Sequence, residues 1–209
     1  PGGIRLDRLQ EPPAEKLRAL RRELKLPDNA KVVTLLARVD RVKGHLFAVE
    51  ALARVTKKHP EVVLVFAYPR ESTYRQEVEQ AIAARNLQPH VRWLGKQEDV
   101  APILYITDVG LIASIGSEGW SRVAVEFLAA RVPVVGTAVG SVPEIAEDGK
   151  AGLIVPPEDA GAMAGAMLRL LDQTVLRAAM RAAAGQKVLE YSAARMTETT
   201  IGLYRPLLG

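Results

Sequence analysis

Two glutamates, Glu118 and Glu126, flank a glycine-containing turn in the segment S-E-G-W-S-R-V-A-V-E. Along one continuous helix, carboxylates eight positions apart would lie roughly 12 Å from each other, too far to share a proton. They could instead bind two parts of one long ligand, if Glu118 lies in the turn and Glu126 lies on the helix that follows. The start of that helix would offer unpaired N–H groups and a positive dipole to a phosphate. The spacing therefore favours an extended, phosphate-containing ligand.

The neighbours of these acids distinguish them from ordinary solvated glutamates, which is the usual state of this residue type. Glu126 lies between Val125 and Phe127 in a run that is predicted to be buried, and D-V-G-L-I-A upstream predicts a core strand. A strand, a Ser/Gly turn and a helix in succession form the kind of site found at the switch point of an α/β sheet.

A basic pair, Arg38 and Lys43, follows the first strong strand in the segment A-R-V-D-R-V-K-G. Doubly wound sheets bind ligands beyond the carboxyl ends of their strands. Arginine offers planar bidentate donors and lysine a compact charge, so the pair could hold a diphosphate and neutralise it as a leaving group. The alternative is that both are surface bases paired with Asp40. The position of the loop favours the binding role.

A third segment, G-T-A-V-G-S-V-P-E-I, follows the strand P-V-V-G. Gly136 and Gly140 permit close approach of the backbone, and Ser141 is a candidate N-cap of a short helix. Ligand contact and a simple capped turn are equally favoured for this segment alone.

The composition excludes several classes of protein and site. With 209 residues, 48% hydrophobic and 5% aromatic, the chain predicts one globular domain with an aliphatic core. The formal charge of +4 is interspersed, which favours anionic ligands without indicating a nucleic-acid binder. Without cysteine there is no disulfide, thiolate metal site or cysteine nucleophile. The chain also lacks the dinucleotide fingerprint, the phosphate loop of NTPases, the hydrolase nucleophile elbow and the H-E-x-x-H zinc motif. His45 is predicted to be structural.

Short aliphatic runs alternate with amphipathic stretches along the chain, which predicts an α/β fold with a doubly wound, Rossmann-like parallel sheet. The last third, from Pro157, predicts extra C-terminal helices. No run reaches the roughly 18 apolar residues of a membrane span. A cytoplasmic location is expected, which agrees with the absence of cysteine. The first residue is Pro1 rather than Met, so the chain is expected to be part of a longer protein. The candidate strands are 32–37, 62–67, 91–94, 109–113, 133–136 and 152–155.

A series of motifs, in the family's order, resembles the donor-binding C-terminal half of retaining GT-B glycosyltransferases of group 1, also called family 4. The first, P-G-G-I-R-L-D-R-L, is similar to the family's interdomain segment. The others are R-V-D-R-V-K-G, V-R-W-L-G with L-Y-I-T-D-V, S-E-G-W-S-R-V-A-V-E, G-S-V-P-E-I, D-G-K-A-G-L-I-V-P-P-E-D, and Y-S-A-A-R-M with a later L-Y. The resemblance covers nearly the whole chain. It implies that residues 1–209 form a single nucleotide-sugar (donor) binding domain, and that an N-terminal acceptor domain is absent from this chain.

The resemblance also implies a role for each matching residue. Arg38 and Lys43 would hold the donor diphosphate, Glu118 would contact the transferred sugar, and Glu126 would accept hydrogen bonds from ribose hydroxyls. No cofactor or metal is expected, which agrees with the absence of an Asp-x-Asp pair. The remaining implied donor contacts are the backbone of Gly119, Trp120, Ser121 and Arg122 around the sugar and phosphate, and Gly95 and Lys96 near the nucleobase.

Several positions depart from the family pattern. Ala37 and the pair Ser121-Arg122 stand where the family has Gly and Gly-Leu, and Ala67-Tyr68-Pro69 replaces a Gly-rich turn. The added bulk and charge leave the sugar donor open. Arg131 stands where a helix-ending glycine is common, which predicts a left-handed non-glycine residue or a different cap.

The leading hypothesis is a donor-binding domain that binds a nucleotide sugar but does not transfer it alone, because its acceptor domain is missing. The acceptor would be a sugar, a lipid or a polysaccharide. One alternative is a GT-B nucleotide-sugar epimerase, which would form product without acceptor. Another is a non-catalytic scaffold that keeps the fold and binds no nucleotide. Peripheral association of the full protein with the inner face of a membrane is left open.

Overall fold

Six parallel strands form the centre of the fold, in a computed structural model that describes residues 3–68, 72–116 and 118–205. The strand order β3-β2-β1-β4-β5-β6 is that of a Rossmann sheet. All six strands predicted from aliphatic runs are confirmed, with ends that differ by at most one residue. Their bounds are β1 Lys31–Leu36, β2 Val62–Ala67, β3 Val91–Leu94, β4 Val109–Ile112, β5 Val134–Thr137 and β6 Gly152–Val155.

Helices connect the strands and extend the C-terminal end of the chain, as predicted. The last predicted helix runs toward residues 206–209, which lie outside the described residues. No helix within the described ranges combines the length and apolarity that crossing a bilayer requires. The helices are α1 Ala14–Glu23, α2 His45–Val55, α3 Tyr74–Ala84, α4 Ala101–Tyr105, α5 Arg122–Ala129, α6 Val142–Ala146, α7 Ala160–Asp172, α8 Thr174–Lys187 and α9 Ala193–Tyr204.

Successive residues of each strand point to opposite faces of the sheet, and both faces are buried. On β1, Val33 belongs to the core that contains α2 and α7, whereas Val32 packs with the core on the α1 side. This two-sided burial explains why the strands read as continuous aliphatic runs rather than as alternating patterns.

The strand order reverses between β1 and β4, which are neighbours in the sheet but far apart in sequence. Val33 pairs with Val109 in this register. The chain leaves these strands in opposite directions along the sheet, so a crevice forms beyond their carboxyl ends. The fold thus predicts the position of a ligand site before any side chain is considered.

Close backbone contacts at two glycines hold the loops around this crevice together. Gly44 has a φ of +68°, and a Cβ added there would lie 1.9 Å from the carbonyl oxygen of Ala113. Gly140 has a φ of +53°, and its added Cβ would lie 1.8 Å from the carbonyl oxygen of Glu118. The N–H of Ser141 also donates to that Glu118 carbonyl at 2.9 Å. Glycine is required at both positions, because any side chain would push the loops apart.

The end of α5 confirms the left-handed residue predicted at Arg131. Its φ is +55°. The N–H of Arg131 donates to the carbonyl of Leu128, and the N–H of Val132 donates to that of Phe127, both at 2.9 Å. These bonds satisfy carbonyls at the helix end in the manner of a Schellman motif, so an arginine does here what glycine usually does.

His45 begins α2 and is completely buried against the ring of Phe66, with ring centroids 5.1 Å apart. Among the described residues, neither ring nitrogen has a hydrogen-bond partner of good geometry. Burial lowers the pKa of His45 from its ordinary 6.5 to about 4, although the backbone and carboxylate of Asp40 oppose the shift. The ring is therefore neutral and packs as part of the core, as the sequence predicts.

Replacing Gly44 with alanine should lower the free energy of unfolding by about 2 to 4 kcal/mol, because it adds both backbone strain and a steric clash. Gly165→Ala is the matched control. Gly165 is exposed within α7 with no atom near its added Cβ, so alanine should stabilise the helix by about 0.5 to 1 kcal/mol. Urea unfolding measures both changes. A Gly44→Ala variant as stable as the wild type would show that the loop contact is wrong.

Acid should destabilise the fold through His45, because its pKa is higher in the unfolded chain than in the folded one. The stabilisation from the neutral ring is complete above pH 6.5 and is lost as the pH falls toward about 4, a loss of ~3 kcal/mol. His45→Leu should remove this part of the pH dependence. Urea unfolding of both proteins at about pH 7.5 and pH 4 measures the difference, and equal pH dependence would rule out a buried neutral histidine.

Candidate functional site

A cavity of about 180 Å³ opens at the β1/β4 switch point. Its floor is formed by the ends of the two strands, including Leu36 and Ile112. The loop after β1 contributes Lys43, and the turn before α5 contributes Glu118 and Trp120. The first cavity therefore combines two of the sequence motifs at the place where a doubly wound sheet binds its ligands.

Lys43 and Glu118 form a largely buried ion pair in the first cavity. The Lys43 ammonium donates a hydrogen bond to Oε1 of Glu118, and the hydroxyl of Ser114 donates to the same oxygen at 2.6 Å. The side chains of Lys43 and Glu118 are only 16% and 9% exposed. Removing either partner would leave an uncompensated charge in a poorly solvated place. An anion entering this cavity would meet a lysine whose present partner is a carboxylate.

A second cavity of about 450 Å³ lies beside the first and contains Glu126. Trp120 and Arg122 line both cavities, so the two are adjacent along the turn that joins β4 to α5. The N-terminal segment and the loop after β3 complete the second cavity. Its lining residues from those two segments are Gly3, Ile4, Arg5, Arg8 and Leu9, followed by Glu98, Asp99 and Val100.

Glu126 lies on α5 and is buried, whereas Glu118 lies in the preceding turn, as the sequence predicts. Arg122 Nε donates to Oε1 of Glu126 at 2.8 Å. Burial raises the pKa of Glu126, and Arg122 opposes that change by its charge and its hydrogen bond. The two acids thus face different cavities, each beside a basic partner.

The turn between the acids is fixed by contacts with distant segments. The N–H of Ser121 donates to the hydroxyl of Ser141 at 2.9 Å. Ser141 precedes α6 as predicted, but its side chain makes no cap hydrogen bond to that helix and binds the turn instead. The ring of Trp120 packs against the ring of Tyr191, with ring centroids 5.3 Å apart. Among the described residues, Gly119 would have open space around an added Cβ.

Four of the predicted site residues line neither cavity: Arg38, Gly95, Lys96 and, in the turn before α5, Gly119. Arg38 is 68% exposed and pairs with Asp40 at 3.3 Å, which is the surface arrangement considered as its alternative. Gly95 and Lys96 follow β3 without lining either cavity, although Glu98 nearby does. Their proposed contacts with diphosphate and nucleobase stay predictions.

Sequence reasoning missed the contributions of Ser114, Arg5 and Arg8. Ser114 is the first polar residue after the buried strand β4, two positions beyond its end, and that position was a signal that could have identified it. Arg5 and Arg8 had no such signal. They reach the second cavity because the N-terminal segment pairs with the far end of the chain, where the N–H of Ile4 donates to the carbonyl of Tyr191 at 2.9 Å.

The described part of the chain contains no group of three or more His, Cys, Asp or Glu side chains placed to hold a metal ion.

Comparison with protein families and curated proteins identifies related sequences. The family "Glycosyl transferases group 1" matches residues 18–187. A D-inositol 3-phosphate glycosyltransferase from Corynebacterium kroppenstedtii is 34% identical over 167 residues, which are 77% of this chain and 37% of that protein. A phosphatidyl-myo-inositol mannosyltransferase from Mycolicibacterium smegmatis is 29% identical over 187 residues, which are 88% of this chain and 47% of that protein. The chain thus spans about half the length, or less, of these curated relatives.

Solved structures share the fold. A glycosyltransferase from Rickettsia africae superposes with a TM-score of 0.92 and 25% identity, covering 99% of this chain and 56% of that one. Anabaena Alr3699/HepE in complex with UDP superposes with a TM-score of 0.89 and 21% identity, covering 98% of this chain and 56% of that one. The C-terminal domain of the Francisella tularensis protein LpcC superposes with a TM-score of 0.77 and 24% identity, covering 91% of this chain and 100% of that one. This chain has the Rossmann-like fold seen in GT-B glycosyltransferases and belongs to the group 1 glycosyltransferase family.

Proposed function

We propose that this chain is the donor-binding half of a retaining glycosyltransferase and binds a nucleoside-diphosphate sugar across the two adjacent cavities. The observation that carries the proposal is their arrangement at the switch point. The buried pair of Lys43 and Glu118 lies in the first cavity, and the buried Glu126 lies in the second. One ligand with a charged centre and hydroxyl groups on both sides fits this arrangement.

The first cavity is assigned to the diphosphate and the transferred sugar. Lys43 would exchange its contact with Glu118 for the diphosphate and stabilise the negative charge that develops as the sugar leaves. Arg38 would join it by turning from Asp40, since its side chain is exposed. Glu118, still held by the hydroxyl of Ser114, would accept hydrogen bonds from the sugar.

The second cavity is assigned to the ribose, whose hydroxyls would donate to Glu126. The backbone of the turn from Gly119 to Arg122 would contact the phosphate and sugar between the two acids. Gly95 and Lys96 would lie toward the nucleobase, beyond Glu98 at the rim of the second cavity. In this arrangement the ligand extends from the β1/β4 crevice toward the loop after β3.

Positive side chains would make a metal unnecessary for binding or for leaving-group stabilisation, and no cofactor is proposed. The leaving phosphate would help to deprotonate the acceptor on the face from which it departs, which gives retention. Acceptor binding is assigned to an N-terminal domain outside this chain, because the chain spans only 37% and 47% of the relatives compared above. The chain alone would then bind donor without transferring sugar.

The buried charges argue against a scaffold that has lost its site. Burying a lysine and a carboxylate is costly, and apolar side chains of similar size could replace a pair that had only a structural role. UDP is the first nucleotide to test, since HepE was solved with it. A cytoplasmic location is part of the proposal, with peripheral attachment of the full protein to the inner face of a membrane as an alternative.

Lys43→Ala should weaken the binding of UDP, GDP or ADP by about 10- to 100-fold and that of the matching nucleoside much less, because the lysine would contact only the diphosphate. Calorimetry measures both affinities. EDTA should leave them unchanged, and a need for added metal would contradict the metal-independent proposal.

Lys187→Ala provides a matched control for this experiment. Lys187 is also largely buried, at 14% exposure, and is paired with Glu147 and Glu190 at 2.7 Å, but it lines neither cavity. The Lys187→Ala substitution should leave nucleotide affinity unchanged. If Lys43→Ala weakened the binding of the nucleoside and of the nucleoside diphosphate equally, the proposed contact between Lys43 and the diphosphate would be wrong.

A further inference from the structure

Arg122 is the single charged side chain that contacts the Glu126 carboxylate within residues 3–68, 72–116 and 118–205. The two residues stand four positions apart on α5, and Nε of Arg122 donates to Oε1 of Glu126 at 2.8 Å. Arg122 is 74% exposed, whereas the side chain of Glu126 is only 8% exposed. The guanidinium thus reaches from solvent to a carboxylate that burial would otherwise disfavour in its ionised form.

The geometry leaves half of the carboxylate available. The contact uses one nitrogen of the guanidinium and one oxygen of the carboxylate, rather than the bidentate arrangement that arginine can form. Among the described residues, Oε2 of Glu126 accepts no hydrogen bond. Both side chains line the second cavity, so a ligand there would meet a carboxylate with a fixed orientation and one unused oxygen.

Other charged groups near α5 are engaged elsewhere or exposed. Two of those lining the cavity form surface pairs, Arg5 with Asp7 at 2.7 Å and Asp99 with Lys16 at 2.6 Å. Arg8 and Glu98 are exposed, where solvent screens their charge. Lys187 at the end of α8 pairs with both Glu190 and Glu147. On the same helix, Arg177 donates to the carbonyls of Leu170 and Leu171, and Arg181 is exposed. The remaining charged groups next to α5 are Glu144 on α6 and Arg131 after the helix end. The pKa of Glu126 is set by burial and by Arg122.

We propose that Arg122 is a positioning residue that holds the Glu126 carboxylate ionised and oriented, so that its second oxygen accepts from the ribose hydroxyls. This inference rests on the proposed function, in which Glu126 binds ribose. It gives a role to the arginine that stands where the family has leucine. The consequence is a preference for ribonucleotides over deoxyribonucleotides that does not change near neutral pH.

The test compares the affinities of UDP and 2′-deoxy-UDP, with GDP and 2′-deoxy-GDP in parallel, for this chain at about pH 6 and pH 8. The ratio of the two Kd values is used because titration of the phosphate affects both nucleotides equally and cancels. For the wild type, the ribonucleotide should bind about tenfold more tightly at both pH values, as a hydrogen bond to a charged group predicts.

Arg122→Leu should reduce this preference several-fold, because the carboxylate loses the hydrogen bond that orients it. Burial raises the pKa of Glu126 and Arg122 opposes that change, so the loss should be larger at pH 6 than at pH 8. Arg122→Lys keeps the charge and should preserve most of the preference at pH 6. Arg54→Leu removes an arginine from an exposed i,i+4 pair with Glu50, outside both cavities, and should change nothing.

Glu126→Gln separates this inference from the proposed function. Introduced alone, Glu126→Gln should remove most of the ribose preference, and adding Arg122→Leu to Glu126→Gln should have no further pH-dependent effect. If Glu126→Gln lowers the preference but Arg122→Leu leaves it unchanged or increases it, the positioning role is overturned and the ribose role survives. If Glu126→Gln has no effect, or the folded wild type binds no nucleotide, the proposed function itself fails.

Discussion

The buried ion pair between Lys43 and Glu118 is the interaction on which the site depends. Its partners come from separate loops, and they meet because Gly44 lies against the carbonyl of Ala113 while Gly140 lies against that of Glu118. Two buried charges are tolerated only when their contact is well made. The precise approach of these loops is therefore an electrostatic requirement of the site as well as a packing requirement of the fold.

The two cavities solve the burial of a carboxylate in different ways. Glu118 has a buried lysine and the hydroxyl of Ser114, so its surroundings are polar and largely closed to solvent. Glu126 has only the exposed Arg122 among the described residues, and burial raises its pKa. A long ligand can use both acids because the turn that carries Glu118 leads directly into α5, which carries Glu126 into the adjacent cavity.

Most of the fold could be predicted from the sequence, since strands buried on both faces leave uninterrupted aliphatic runs and amphipathic helices leave a regular spacing. The positions of Glu118 and Glu126 followed from the same local patterns. The pairing of Lys43 with Glu118 did not, because it joins residues 75 positions apart. The hydrogen bond from Ser121 to Ser141 could not be predicted either, because it joins distant segments. The same is true of the positions of Arg5 and Arg8 in the second cavity.

The most direct measurement of the central claim is a crystal structure of this chain with UDP, or with GDP or ADP if UDP does not bind. The proposed donor site requires the nucleotide to lie across the two cavities, with a phosphate oxygen within about 3.2 Å of Lys43 Nζ and a ribose hydroxyl at a similar distance from the Glu126 carboxylate. A nucleotide bound elsewhere, or one that leaves Lys43 and Glu126 without contacts to phosphate and ribose, would contradict it.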